Sequence, residues 1–421
     1  MKEERVAKGL RRDLRSVLRS KQKAGEKEDW LTSRLKADLE QIGRFYRIEN
    51  GAPLFFRHRD HKLYDIDDKP QSEFGQLVTF LGDFSLKTVM MGRCVDRLRA
   101  SMSQSAATVQ VHPWAFNSPG TEVIAVNDFG GGMWYRKRGG KWKWKPNGYE
   151  GILFWTPSAF VEPWKPEFSS DPTIHDEDHL QWFLEQAHFA EHGLTVQDQR
   201  MILRNLLLVP SFPSINRTRP VQAHLGQRQQ QNTSMRDERP HDTGKTVGGK
   251  IIGVLFAGRK FEPTYIDSSE KGQEGLHLAL MHQPWVLLDN VDTEIKWLND
   301  LLCIYATGGR LPRRKLYADT TLLYYEPRGR LAITSRKAKF NRPDTASRTI
   351  PFRFKPISPT ERKTEWELLD PVIARRGQIW AGLLSVIARV QDALPTLSPP
   401  SPSLRLADFE QFGWCVAAVY G

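Results

Sequence analysis

Residues 243–256 read Thr243-Gly244-Lys245-Thr246-Val247-Gly248-Gly249-Lys250-Ile251-Ile252-Gly253-Val254-Leu255-Phe256. The first four match the end of the phosphate-binding loop GxxxxGK[ST]. The apolar run from Val247 to Phe256 is long enough for the helix that such a loop opens. The chemistry requires backbone N–H groups wrapped around phosphates, a lysine reaching the β and γ phosphates, and a hydroxyl on Mg²⁺. Thr243, Gly244, Lys245 and Thr246 are therefore the expected contacts to ATP, with Thr246 also a metal ligand. The amino-terminal side departs from the motif, because Arg239 stands five positions before Gly244 in place of glycine. A glycine does follow the strand candidate Pro220 to Leu225, at Gly226, but it lies 18 residues before Gly244. Either a polar insert of about 13 residues interrupts the loop, or Arg239 replaces the glycine.

Working outward, Trp285-Val286-Leu287-Leu288-Asp289-Asn290 is a short apolar strand ending in a carboxylate, the pattern that holds Mg²⁺ beside a nucleotide. Asn290 occupies the position where many such ATPases carry a water-orienting glutamate. Asp292 is the available substitute, and slow hydrolysis is the expectation. A third strand candidate, Arg330 to Ser335, ends in Thr334 and Ser335, whose hydroxyls could contact the γ phosphate or the attacking water. Beyond it, Arg342 and Arg348 offer charge for a neighbouring subunit's nucleotide, against the plainer alternative of surface ion pairs.

In this order the segments resemble the superfamily 3 helicases, the AAA+ ATPases of the phage, plasmid and poxvirus primase-helicase type. Pro284 to Asp292 is similar to their Asp motif, and Leu301 to Leu311 to the following motif with its Thr-Gly-Gly turn. Arg313-Arg314-Lys315, within Arg313 to Asp319, resembles the basic hairpin that in the family projects into the ring channel and touches DNA. Asp344 to Ile350 resembles the D-x-x-x-R-T-I element, whose arginine acts across the subunit interface; here that is Arg348. The likeness spans roughly residues 176 to 390 and departs at the third strand, where Thr334 or Ser335 replaces the usual asparagine. It implies an α/β P-loop NTPase domain of AAA+ type, a parallel sheet flanked by helices, preceded by a smaller α+β amino-terminal domain.

Upstream, Val6, Leu10, Leu14, Val17 and Leu18 fall on one helical face with Arg5, Lys8, Arg11, Arg12, Arg15 and Arg19 around the rest. A second run places Leu31, Leu35, Leu39 and Ile42 at helical steps. The basic exterior is either a strand-binding arm or a solvated face. Residues 50 to 165 turn to short aromatic-rich stretches of mainly β character. Among them Lys141-Trp142-Lys143-Trp144-Lys145 follows a Gly139-Gly140 turn. Its alternation gives one basic and one aromatic face, suited either to single-stranded nucleic acid or to burial of the rings in a core. Pro163 to Asp178 reads as a linker, and helical patterns follow over 179–192, 196–208 and 408–420. The expected divisions are a basic helical hairpin (1–48), a mixed β domain (49–165), the ATPase domain (176–357) and a carboxy-terminal helical region (358–421).

Composition agrees with a globular chain: 421 residues, 39% hydrophobic and 26% charged. The net charge of +12 favours a polyanionic partner. The run Ile251 to Ala257 is far short of a membrane span, and the first residues lack the apolar segment of a secretory signal. A cytoplasmic location with no membrane partner is expected. Cys94, Cys303 and Cys415 are too scattered for a disulfide framework or a cysteine-rich zinc site.

Two readings stay open. In the first, the chain is an ATP- and Mg²⁺-dependent translocase or helicase of a phage or mobile element. It assembles as a homo-oligomeric ring, with a hexamer as one ring size, around single-stranded or forked DNA. In the second, it is an ATP-gated oligomeric switch or assembly ATPase that unwinds nothing.

Overall fold

Apolar residues at three- and four-residue steps build helices α1 (Lys2–Arg19) and α2 (Ala24–Ile42), and Leu10, Leu14, Leu31, Leu35 and Leu39 are buried together. The computed structural model describes residues 2–66, 72–82, 89–191, 193–226, 244–291, 295–314, 322–335 and 343–420. After α2 come strands β1 (Gly43–Arg47), β2 (Pro53–Arg57) and β3 (Lys62–Asp65), helices α3 (Glu73–Gly82) and α4 (Val89–Ser105), and strands β4 (Ala107–Thr108) and β5 (Val111–His112). The chain continues through β6 (Ala115–Asn117), β7 (Val123–Asn127), β8 (Gly132–Lys137) and β9 (Lys143–Pro146), then β10 (Leu153–Phe154). Two compact bodies result, one of Met1–His112 with Pro146–Thr156, the other of Pro113–Lys145 with Pro157–Gly421.

In the first body α1 to α4 share one core, beside a sheet of order β3-β2-β1-β4, and β10 pairs in parallel with β5.

This division corrects the expected boundaries near residues 48 and 165. The helical hairpin has no core of its own, since Leu77, Val78, Val95 and Leu98 close it. Strands β6 to β9 belong to the second body, because their aromatic and basic side chains are spent on its carboxy-terminal helices. Trp142 donates its indole N–H to the Leu384 carbonyl at 3.0 Å, and the Arg136 guanidinium grips Asp392 at 2.6 and 2.9 Å. Trp144 donates to Asp128 at 2.7 Å. Trp142 is only partly buried and Trp144 is exposed, so the rings are held by hydrogen bonds rather than buried in a core. The expected linker over 163–178 is likewise built in: Trp164 is buried and stacks on Trp380 with ring centroids 3.7 Å apart.

The second body continues with α5 (Asp176–Glu185), α6 (Val196–Leu208), β11 (Val221–Gly226), α7 (Lys245–Ala257), α8 (Glu270–His282), β12 (Trp285–Leu288) and α9 (Lys296–Ala306). An antiparallel ribbon of β13 (Leu311–Arg314) and β14 (Leu322–Tyr325) precedes β15 (Arg330–Ser335). Then come α10 (Pro343–Ala346), β16 (Thr349–Phe354), α11 (Glu365–Ala374), α12 (Arg376–Ala393) and α13 (Ala407–Tyr420). The central sheet runs β12-β15-β11-β16 with every pairing parallel, so the four strands end on the same edge. Alternation along the strands splits the core into two layers. Trp285, Leu287, Ala332 and Phe352 pack with α7 and α12, whereas Val286, Leu288, Leu331 and Ile333 pack with α8 and α9. Glycine weakens a helix, yet α7 needs it: a Cβ at Gly249 would sit 2.6 Å from Leu287. Among the described residues no helix is long and apolar enough to cross a membrane.

Candidate active site

Three parallel strands deliver the site. Helix α7 starts beside the carboxyl edge of the sheet. Gly244, just before it, has φ of 65°, a left-handed conformation that glycine adopts without strain. The first helical residues are Lys245 and Thr246, where the start of the helix and its dipole favour an anion. Asp289 follows the last residue of β12, and Thr334 and Ser335 end β15.

Hydrogen bonds join these groups. The Thr246 hydroxyl donates to Asp289 Oδ1 at 2.7 Å, and the Thr334 hydroxyl donates to the same oxygen at 2.6 Å. Thr334 Oγ1 in turn accepts from the Asn290 backbone N–H at 2.8 Å. Asn290 has φ of 51°, so the chain turns sharply after the carboxylate and directs that N–H back at β15. Lys245 Nζ donates to the Ser335 carbonyl at 3.3 Å, and the Ser335 hydroxyl donates to the Val291 carbonyl at 3.1 Å. Lysine, threonine and aspartate, 43 residues apart in the chain at Thr246 and Asp289, thus occupy one half-buried pocket edge.

The oxygens present suit a hard cation. A threonine hydroxyl and a carboxylate 2.7 Å apart would need to open by only about 0.3 Å to occupy adjacent corners of an octahedron with metal–oxygen distances of about 2.1 Å. Among the described residues no cluster of three or more His, Cys, Asp or Glu forms a protein-only metal cage. Mg²⁺ needs none, since phosphates and water commonly complete its shell.

A cleft next to Gly244 is lined by Gln186, His188, Val247, Ile357 and Leu368. Apart from Val247, no motif pointed to these side chains: they come from the segment after α5, from the stretch after β16 and from α11, and only folding brings them beside the start of α7. His224, on β11, also escaped notice. It is buried, pairs in register with Thr334, and burial pushes its imidazole down to about 4, opposed only in part by the Lys245 backbone.

The other expected residues lie elsewhere. Arg348 directly precedes β16, at the amino edge of the sheet. Six residues of strand put it about 20 Å from the edge that carries Asp289. It cannot reach its own chain's Lys245 site. Its guanidinium binds Asp344 Oδ2 at 2.5 Å and the Asp344 carbonyl at 3.0 Å, and Arg405 holds Asp344 Oδ1 at 2.5 Å. Arg313 and Arg314 lie on β13, in the ribbon before β15. Thr243, Asp292, Lys315, Arg239 and Arg342 lie outside the described residues.

A family model described as "Actinomycete integrative conjugative element replication protein" matches residues 237–419. No curated protein matches the chain. Among solved structures, the chain is similar to the A form apo structure of the NrS-1 C-terminal region, at 10% identity, 91% of this chain, 74% of that chain and a TM-score of 0.43. A second apo structure of that region gives 12%, 91%, 74% and 0.41, and a ligand-bound JCV helicase gives 11%, 59%, 69% and 0.24.

Proposed function

We propose that the chain is a P-loop ATPase of AAA+ type that drives nucleic-acid translocation in the replication of a mobile element. The observation that carries this reading is the shared carboxylate oxygen of Asp289, which receives the hydroxyls of Thr246 and Thr334 directly beside Lys245. Phosphoryl transfer needs little beyond positioning and charge stabilisation, and these residues divide that work. The amides at the start of α7 and Lys245 hold the β and γ phosphates. Thr246 and Asp289 would hold Mg²⁺, the Thr246 oxygen through a lone pair that its donated bond to Asp289 leaves free. Thr334 keeps Asp289 aimed, and the cleft of Val247, Ile357 and Leu368, with Gln186 and His188 at its polar rim, receives the base. Arg348, too far away to serve its own chain, serves a neighbour's nucleotide in a ring, and Arg313, Arg314 and Lys315 line the path of DNA. The match of residues 237–419 to a replication-protein family supports the biological role.

Asn290 favours a second reading. It supplies no carboxylate to orient water, and its backbone N–H is engaged by Thr334, so hydrolysis is slow and ATP acts as a gate on assembly. ATP hydrolysis measured with and without single-stranded DNA separates the two. The translocase is stimulated severalfold, whereas the switch is indifferent.

A further inference from the structure

The first body carries a charged surface that the ATPase reading does not use. Helix α1 contains seven basic residues against three acidic ones in Lys2–Arg19. Its apolar side, Val6, Ala7, Leu10 and Leu14, is closed against α2 and α3. At about 100° per residue, Arg5, Lys8, Arg12, Arg15 and Arg19 fall within an arc of about 80°, opposite that buried side. All five are exposed. At about 1.5 Å of rise per residue they form a straight row about 21 Å long.

The row is neither neutralised nor loose. Among the described residues Arg12 pairs with the adjacent Asp13, but Arg5, Lys8, Arg15 and Arg19 form no ion pair. Glu3 is turned inward, held by Arg57 through two bonds of 2.7 Å, which fixes the start of the helix. Lys27 caps the other end by donating to the carbonyls of Leu18 and Ser20 at 3.1 and 2.8 Å. Lys8, Arg11, Arg12, Arg15, Ser16 and Arg19 line an open groove along the helix.

We infer that this face of α1 docks on the phosphate backbone of double-stranded DNA, independently of base sequence. The inference rests on the proposed function only for the class of partner, not for ATP chemistry. A row of cations carried on a helix held at both ends faces a regular row of phosphates. Single-stranded DNA is the poorer fit, because the row itself carries no aromatic ring for bases to stack on. An anionic membrane is poorer still: a helix lying on a bilayer must insert its apolar face, and that of α1 is already buried in the protein.

The test uses the full chain without nucleotide. Binding to a 30-base-pair duplex, to a single strand of equal length and to phosphatidylserine vesicles is measured across salt concentrations. The variant is the triple Arg12→Ala, Arg15→Ala, Arg19→Ala. It is expected to lose at least about tenfold in duplex affinity, and its log affinity against log salt slope should flatten by about 2 to 3. The triple Arg→Lys variant keeps most of that slope. Unchanged melting and ATP binding in the alanine variant show that the loss is local, and separate this test from any failure of the ATPase reading. Unaltered duplex affinity and slope, a loss confined to single strands, or a loss confined to vesicles would each overturn the inference.

Discussion

The two edges of one parallel sheet are finished to different degrees. At the carboxyl edge, Asp289 collects hydroxyls from Thr246 and Thr334, and Lys245 is tied to the last residue of β15. At the amino edge, Arg348 is closed on Asp344, which Arg405 holds from its other oxygen. The first edge gathers a lysine, two hydroxyls and a carboxylate from one chain, the set that the proposed nucleotide site requires. The second presents a cation already neutralised by its own neighbour, which becomes useful only when another molecule brings it a stronger anion. On the proposed reading, a single subunit reveals the first edge, and only an assembly reveals the second.

Removing the charge from each edge gives the largest effects. Lys245→Ala should abolish ATP turnover while leaving thermal unfolding nearly unchanged, since the side chain sits at a helix start rather than in the core. Wild-type turnover in that variant would refute the role given to the carboxyl edge. Arg348→Ala should bind ATP normally yet turn it over slower by a factor on the order of 10³. The sharper experiment mixes the two inactive proteins. Mixed assemblies contain interfaces where an intact Lys245 meets an intact Arg348, so part of the activity returns; no recovery at any ratio would show that Arg348 serves no neighbour.

Legibility in the sequence followed the range of the interactions. The start of α7 at Lys245, the strand ending before Asp289 and the strand Arg330–Ser335 were readable because each is fixed by local periodicity and a few adjacent residues. Thr334 and Ser335 were expected at the nucleotide. The contact observed for Thr334 is with Asp289. The assignment of β6 to β9 was not readable, because alternation shows that one face is buried without showing against what. The answer lay in Leu384 and Asp392, more than 240 residues from Trp142 and Arg136. Gln186, His188 and Leu368 escaped for the same reason: a cleft gathered from three segments leaves no pattern in any one of them.

Thr334 offers a test of how tightly the carboxyl edge is built. Thr334→Val keeps the volume but removes the donor to Asp289 and the acceptor for the Asn290 N–H. Leaving buried polar groups unpaired costs about 1–3 kcal/mol, so stability should fall by that order. Turnover should drop about tenfold through the misaimed carboxylate. Thr334→Ser restores the hydroxyl and should recover most of both. If valine and serine behave alike, the hydroxyl does not matter and the edge is held by packing.

A pH dependence separates the edges. His224 lies beneath the carboxyl edge with a native pKa of about 4, against an ordinary value of 6.5, because burial disfavours its cation. As pH falls from 6.5 toward 4, the unfolded chain takes up a proton that the folded chain refuses, so stability declines across this window, by about 3 kcal/mol at most. Asp344 at the amino edge acts in the same direction but at lower pH. The bond from Arg348 holds its carboxyl below the usual range, so its contribution persists until the pH falls through that lowered value. Thermal unfolding and ATP binding of wild type and His224→Leu, compared between pH 7 and pH 4.5, resolve the two. The variant should lose the acid-dependent decline, while Arg348→Ala should retain it. Parallel pH profiles for wild type and His224→Leu would mean that the imidazole is hydrated in solution, and that the carboxyl edge is more open than its packing indicates.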